Sequence, residues 1–157
     1  MIDDASGATV TIRGIETGDQ GAWRRLFRDY GVFYGTEFGE DVLDRVWALL
    51  FDEGSGVRAI VAEQDGAVVG FAHYRAHFDT FTGGRDWYLE DLYVHPDARG
   101  AGLASALIER LADLARDTDG AGSLRWITAA DNVRAQRVYD RLATRTTWVT
   151  YEMRLDG

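Results

Sequence analysis

At 157 residues the chain has the length of one compact domain, and its 46% hydrophobic share is enough to build a core. It holds no cysteine, which excludes disulfides, thiolate nucleophiles and cysteine-ligated zinc; with no apolar run of membrane-spanning length and no basic-then-apolar leader, it is expected to be a soluble cytoplasmic protein without a membrane partner. The formal charge is −9 and all 17 basic residues are arginine, a balance that disfavours nucleic acid and suits either a cationic small substrate or simply a well-solvated acidic surface.

In chain order, "ATVTIRG" (8–14) alternates as a first strand. Trp23, Leu26, Phe27, Tyr30 and Phe33 or Tyr34 recur at the spacing of an amphipathic helix, and Val42, Leu43, Val46, Trp47 and Leu50 mark a second. "VRAIVAEQDGAVVGFAHYRAHF" (57–78) reads as two strands around Asp65-Gly66, a dipeptide that supplies the positive φ of a tight hairpin. "RDWYLEDLYV" (85–94) is the next strand, and residues 103–116 form a helix with Leu103, Leu107, Leu111 and Leu114 inward. "LRWITA" (124–129) is strand-like, 131–143 is a helix with Asp131 placed to cap it, and "TTWVTYEMRL" (146–155) closes as a strand. No repeat or linker interrupts the chain, so residues 1–157 are expected to form a single domain. The order βααβββαβαβ predicts an α/β fold whose mixed, mostly antiparallel twisted sheet is flanked by helices.

Two features of residues 88–111 are candidates for chemistry. Glu90 and Asp91 put adjacent acids inside an apolar strand. Gly100 and Gly102 then strip side chains from the turn into a helix, leaving backbone N–H groups and the positive end of the helix dipole facing open space beside Arg99, an arrangement suited to phosphate. The turn is no dinucleotide fingerprint, whose third glycine position holds Ser105, and no Walker A loop, since the chain has no lysine. It does fit Arg-x-x-Gly-x-Ala across Arg99, Gly102 and Ala104.

With "YLEDLYVHPDARGAGLASALIERL", "WITAADNVRAQRVYDRLA" and "WVTYEMRL", the chain resembles the GNAT superfamily of N-acetyltransferases, and within it the branch of the spermidine/spermine and thialysine acetyltransferases. The likeness runs over about residues 8–155 and is strongest from 88 to 143. It implies acetyl-CoA as cosubstrate and no metal. The loop Arg99, Gly100, Ala101, Gly102, Leu103 and Ala104 would grip the pyrophosphate, and the backbone of Leu92, Tyr93 and Val94 would hold the pantetheine arm. Asn132 and Tyr139, in the pattern Asn-x-x-Ala-x-x-x-Tyr, would contact the cofactor, with Tyr139 donating a proton to the leaving sulfur. Relatives are commonly dimers, so a homodimer is possible.

The chemistry sets its own requirements. An alkyl amine near pKa ~10.4 is almost wholly protonated at neutral pH, so a base must take its proton. Glu90 and Asp91 are the candidates, although adjacent strand residues point to opposite faces unless a bulge re-aims one of them. By resemblance Glu90 is the base, through a water, and Asp91 helps hold a cationic acceptor; the plain alternative is that one acid pairs with an arginine such as Arg75. Tyr139 falls seven residues after Asn132, hence on one helix face with it, but also on the apolar stripe of Ala135, Val138 and Leu142, where it could simply be core. Tyr30, Tyr34 and Trp126 either wall an acceptor pocket or pack in the core. His73 and His77 share a strand face without the setting of a zinc motif, so cleft lining or surface exposure is expected.

These readings converge on direct transfer of an acetyl group from acetyl-CoA to a primary amine of a small cationic molecule. Two alternatives stand beside it: a non-catalytic acyl-CoA-binding sensor, and an acetyltransferase acting on a protein N-terminus or lysine.

Overall fold

The computed structural model describes residues 2–3, by their backbone, and 7–156. The chain forms two compact units, Met1–Ile127 and Thr128–Gly157.

The first unit is built on a six-stranded sheet whose spatial order follows the chain: β1 (Ile2–Asp3), β2 (Thr9–Gly14), β3 (Val57–Gln64), β4 (Ala67–Phe78), β5 (Arg85–Val94) and β6 (Leu124–Arg125). Every pairing is antiparallel except β5 with β6. The β3–β4 hairpin turns at Asp65 and Gly66, both with positive φ (50° and 83°), as a primed turn requires.

Two helices, α1 (Gln20–Phe33) and α2 (Glu40–Phe51), join β2 to β3 and cover one face of the sheet. Their apolar stripes explain this placement. Trp23, Leu26 and Phe27 of α1 and Leu43 and Leu50 of α2 are buried against Ala59 and Val61 of β3, Phe71 of β4 and Tyr93 of β5. Phe27 sits at the centre, its ring 4.6 Å from Phe38 and edge-on to Phe71 at 5.8 Å. Burying one such side chain contributes about 1.5–3 kcal/mol, and truncating it to alanine typically costs about 3–5 kcal/mol because a cavity remains.

The helix α3 (Leu103–Asp119) returns the chain to the start of β6. Leu103, Leu107 and Leu111 are buried as the spacing predicts, but the fourth inward position is Ala115, and Leu114 is half-buried. The buried stripe also takes in Ile108. Past Gly120, in the left-handed conformation (φ 60°), the connection is fastened to β5. Asp86 accepts from Gly122 N (3.1 Å), Ser123 N (3.0 Å) and Ser123 Oγ (2.8 Å), while the Trp87 indole donates to Asp119 at 2.6 Å.

The second unit contains α4 (Val133–Leu142). Its cap is Asn132, not Asp131: Asn132 Oδ1 accepts from Ala135 N at 3.2 Å, whereas Asp131 lies in the preceding turn, its carbonyl taken by Val133 N. Strand expectations for the last third of the chain shrink. The ladder of "LRWITA" stops at Arg125, and residues 146–155 form no strand, with Trp148, Tyr151 and Leu155 82%, 91% and 89% exposed. Alternation makes a segment fit for a sheet, but a strand also needs a neighbour for its backbone hydrogen bonds, and the described residues of this unit contain none. Among the described residues no helix is long and apolar enough to cross a membrane, and no cluster of three or more His, Asp or Glu gathers as metal ligands.

Candidate active site

The two acids of β5 are brought to one face by an irregularity in the sheet. In the β4–β5 ladder His73 pairs with Asp91 and Tyr74 with Leu89, so Glu90 has no partner across and bulges. His73 and Arg75 lie two apart on β4 and therefore point the same way. Arg75 binds Glu90 and His73 binds Asp91, so both carboxylates lie on the face covered by α1. The condition on which the adjacent-acid reading depended is met.

Their environments differ. Glu90 sits at the surface, its side chain 36% exposed, in an ion pair with Arg75, whose guanidinium packs over the Tyr88 ring at 5.1 Å. The arginine partner weighed as the plain alternative is therefore present. Asp91 is more enclosed. Its Oδ2 meets His73 Nδ1 at 2.9 Å. Burial pushes its carboxyl pKa up, but the hydrogen bond and electrostatic attraction of His73, with the hydrogen bond from the Tyr30 hydroxyl, outweigh it and hold the group below the usual carboxylate range.

Tyr30, on the last turn of α1, thus reaches Asp91, and its ring meets Tyr34 edge-on at 5.0 Å; Tyr34 is half exposed. His73 departs from expectation: it is buried, 2% exposed, because both ring nitrogens find partners, Asp91 on one side and the Trp23 indole N–H, at 2.9 Å from Nε2, on the other. Sequence reasoning missed this role. The available signal was position: His73 follows Phe71 by two on a strand, and so shares the face on which the core residues lie. His77 is half-buried, with Nδ1 3.3 Å from the Phe78 carbonyl.

The same strand presents an edge as well as a face. β6 pairs with β5 only at Trp87 and Tyr88, so from Leu89 onward no described strand covers that edge. Backbone groups alternate in direction along an antiparallel strand. His95 N donates to Val69 O, which turns residues 93 and 95 toward β4 and leaves Leu92 and Val94 facing the uncovered side. Tyr93 instead contributes its ring, over which Arg99 packs at 5.4 Å. Arg99 Nε donates to Val94 O at 2.9 Å, so the guanidinium is tethered to the end of this edge.

Beyond Arg99 the turn runs through Gly100 (φ 88°), Ala101 and Gly102 (φ 76°) into Leu103 and Ala104, the first residues of α3. An added Cβ at either glycine would enter open space, so the left-handed backbone, not crowding, demands glycine. No side chain caps α3. Its first amides, with no carbonyl a turn earlier, face outward at the positive end of the helix dipole. A fixed arginine, an uncapped helix start and an uncovered strand edge form a donor set suited to a ligand that carries phosphates at one end and amide groups along its length.

In the second unit Asn132, Ala135 and Tyr139 share the half-buried side of α4, whose other side is exposed. The Asn132 side-chain oxygen is committed to the helix cap. Tyr139 is not a fully buried core residue. Trp126 follows β6 in the first unit and is half-buried.

The chain is similar to known proteins over most of its length. The profile described as the Acetyltransferase (GNAT) family matches residues 22–143. The chain is 31% identical over 145 residues to the D-amino-acid N-acetyltransferase HPA3 of Saccharomyces cerevisiae, covering 91% of this chain and 89% of the relative. It is 34% identical over 146 residues to the thialysine N-epsilon-acetyltransferase of Bos taurus, covering 86% and 84%. Among solved structures, a ribosomal-protein-alanine N-acetyltransferase from Brucella melitensis biovar Abortus superposes with a TM-score of 0.82 at 27% identity, covering 94% of this chain and all of that one.

Proposed function

The chain belongs to the acetyltransferase (GNAT) family and is an acetyl-CoA-dependent N-acetyltransferase; from that premise we propose that its acceptor is a primary amine of a small, positively charged molecule, attacked directly in a ternary complex. The observation that carries this reading is the bulge at Glu90, which gives one sheet face two carboxylates with different partners. Asp91, held as an anion by His73 and Tyr30, is suited to binding an ammonium group and poorly suited to accepting its proton. Glu90 reaches solvent and can take the proton through a bridging water. In this reading Tyr30 and Tyr34 line the approach to Asp91, and Trp126 is a further acceptor contact.

Acetyl-CoA supplies the acetyl group as a reactive thioester. In this reading Arg99 and the amides of Gly100, Ala101, Gly102, Leu103 and Ala104 hold its phosphates, and the outward backbone groups of Leu92 and Val94 hold the pantetheine arm as an added strand would. A backbone N–H of that edge aimed at the thioester oxygen contributes on the order of 3–4 kcal/mol of transition-state stabilisation. Tyr139 is the proton donor to the departing thiolate, and Asn132 a cofactor contact. No cysteine exists to carry an acyl group, which supports direct transfer. The family match runs across the boundary between the two compact units, which supports one catalytic domain.

The curated relatives are named for free amino acids, in support of a small acceptor. A protein N-terminus is the second reading, favoured by the structural likeness to a ribosomal-protein-alanine N-acetyltransferase. Thiol release from acetyl-CoA, measured with a panel of polyamines, amino acids, aminoglycosides and N-terminal peptides, tests both. Turnover with small cationic amines and not with peptides is expected; the reverse would overturn the first reading, and binding without release would leave a sensor. The proposal includes a homodimer, since Val149, Tyr151, Met153 and Leu155 alternate along an exposed segment, a pattern that a second copy can cover. A monomeric mass in light scattering would remove that element.

A further inference from the structure

Beneath the acceptor face a polar line runs outward from the core, from Trp23 through His73 to Asp91. Trp23 is fully buried and His73 is 2% exposed, while the Asp91 side chain is 26% exposed. The His73 ring is packed among Phe71 at 4.6 Å, Phe27 at 5.0 Å and Trp23 at 6.0 Å. Such an enclosure tolerates a polar ring only if its nitrogens are satisfied.

The proton positions follow from donor chemistry. An indole N–H donates and cannot accept, so Nε2 of His73, 2.9 Å from Trp23 Nε1, must present its lone pair. The imidazole that fits is then the neutral form with its proton on Nδ1, and that proton faces Asp91 Oδ2 at 2.9 Å. The direction of every hydrogen bond is fixed from the core outward: indole to imidazole, imidazole to carboxylate. A network serving only the core would close on itself. This one ends on a half-buried carboxylate, which also accepts from Tyr30.

We infer that His73 is a positioning residue for Asp91, locked by Trp23 into the one tautomer that can donate to that carboxylate, and that this line fixes where the acceptor's cation is gripped. The inference rests on the assignment of Asp91 to the acceptor amine. Asp91 lies directly after a bulge, where the strand itself determines side-chain direction least, and a rigid donor behind it replaces the missing backbone constraint.

The full-length wild-type protein labelled with nitrogen-15 supplies the first readout. Long-range proton–nitrogen correlations are expected to show the His73 proton on Nδ1; a proton on Nε2 overturns the inference. Steady-state kinetics supply the second. His73→Leu keeps an apolar side chain of similar size but no donor, and should raise the acceptor KM about tenfold, with the acetyl-CoA KM and kcat within about twofold. His73→Asn, whose Nδ2 stands as far from the backbone as Nδ1, should restore the acceptor KM to within about threefold of wild type. Leu and Asn variants that behave alike would make His73 merely structural and overturn the inference. Should the Leu variant fail to fold, an Asn variant with an acceptor KM raised beyond about tenfold would do the same. Asp91→Asn distinguishes the two levels: an unchanged acceptor KM there removes Asp91 from acceptor binding while leaving the tautomer result intact.

Discussion

Glu90 and Asp91 are consecutive in the chain yet present their carboxylates to the same side of the sheet, because Glu90 is the unpaired residue of a bulge. Arg75 and His73, two apart on the neighbouring strand, receive them separately. One acid is therefore open to water and the other is bound into the protein.

This division predicts distinct phenotypes. Glu90→Gln should lower kcat on the order of 10²-fold and move the pH–rate profile to more alkaline values, since the amine must then lose its proton before it binds. A profile identical to wild type would confine Glu90 to its ion pair with Arg75.

Asp91→Asn should act on binding, raising the acceptor KM about tenfold or more with the acetyl-CoA KM unchanged. It also carries a stability signature. The carboxyl is held below its ordinary value of 3.8 because the hydrogen bond and electrostatic attraction of His73, with the hydrogen bond from Tyr30, outweigh the upward push of burial. A pKa depressed by folding stabilises the native state above the unfolded pKa, and that contribution disappears as pH falls through the folded value. The stability difference between wild type and Asp91→Asn should thus be full at neutral pH and shrink below about pH 4, read by urea denaturation across that range. A difference constant with pH would remove the carboxylate as its source.

Arg99→Ala removes the cation fixed between the Val94 carbonyl and the Tyr93 ring. The acetyl-CoA KM should rise about tenfold while the acceptor KM holds, and the defect should narrow at high salt, where phosphate attraction is screened. Equal loss of both substrates would point to a collapsed strand end.

Tyr139→Phe keeps the apolar ring and deletes only the hydroxyl. If that hydroxyl protonates the leaving thiolate, kcat should fall on the order of 10²-fold with cofactor affinity unchanged, measured by turnover and by equilibrium binding of CoA. Undiminished turnover would take Tyr139 out of the chemistry.

How much of this was legible in the chain follows from the range of each interaction. The stripes of α1 and α2 and the Asp65-Gly66 turn are local patterns; the turn and most stripe positions appear as read, while Phe33 and Tyr34, at the expected end of the α1 stripe, are 57% and 48% exposed. The cap of α4 is ambiguous by one residue because Asp131 and Asn132 are equally good caps, and only the turn before the helix decides. The segment at 146–155 has a strand's alternation, but whether it pairs depends on a neighbour elsewhere. His73 was the least legible, since its two partners lie 50 residues back and 18 ahead, and the second meets it only through the bulge. The sequence could state the bulge as a condition and could not place it.

That bulge is an insertion, and insertions can be undone. On either side of Glu90 the β4 partners follow without a gap, Tyr74 opposite Leu89 and His73 opposite Asp91. A chain lacking Glu90 alone would run as a regular strand, with Asp91 still opposite His73 and the turn through Gly100 and Gly102 unchanged. On the proposed assignment it would keep both ligand sites and lose the proton acceptor. If Glu90 is the base, the evolutionary distance between a catalyst and a receptor for the same pair of ligands is a single codon.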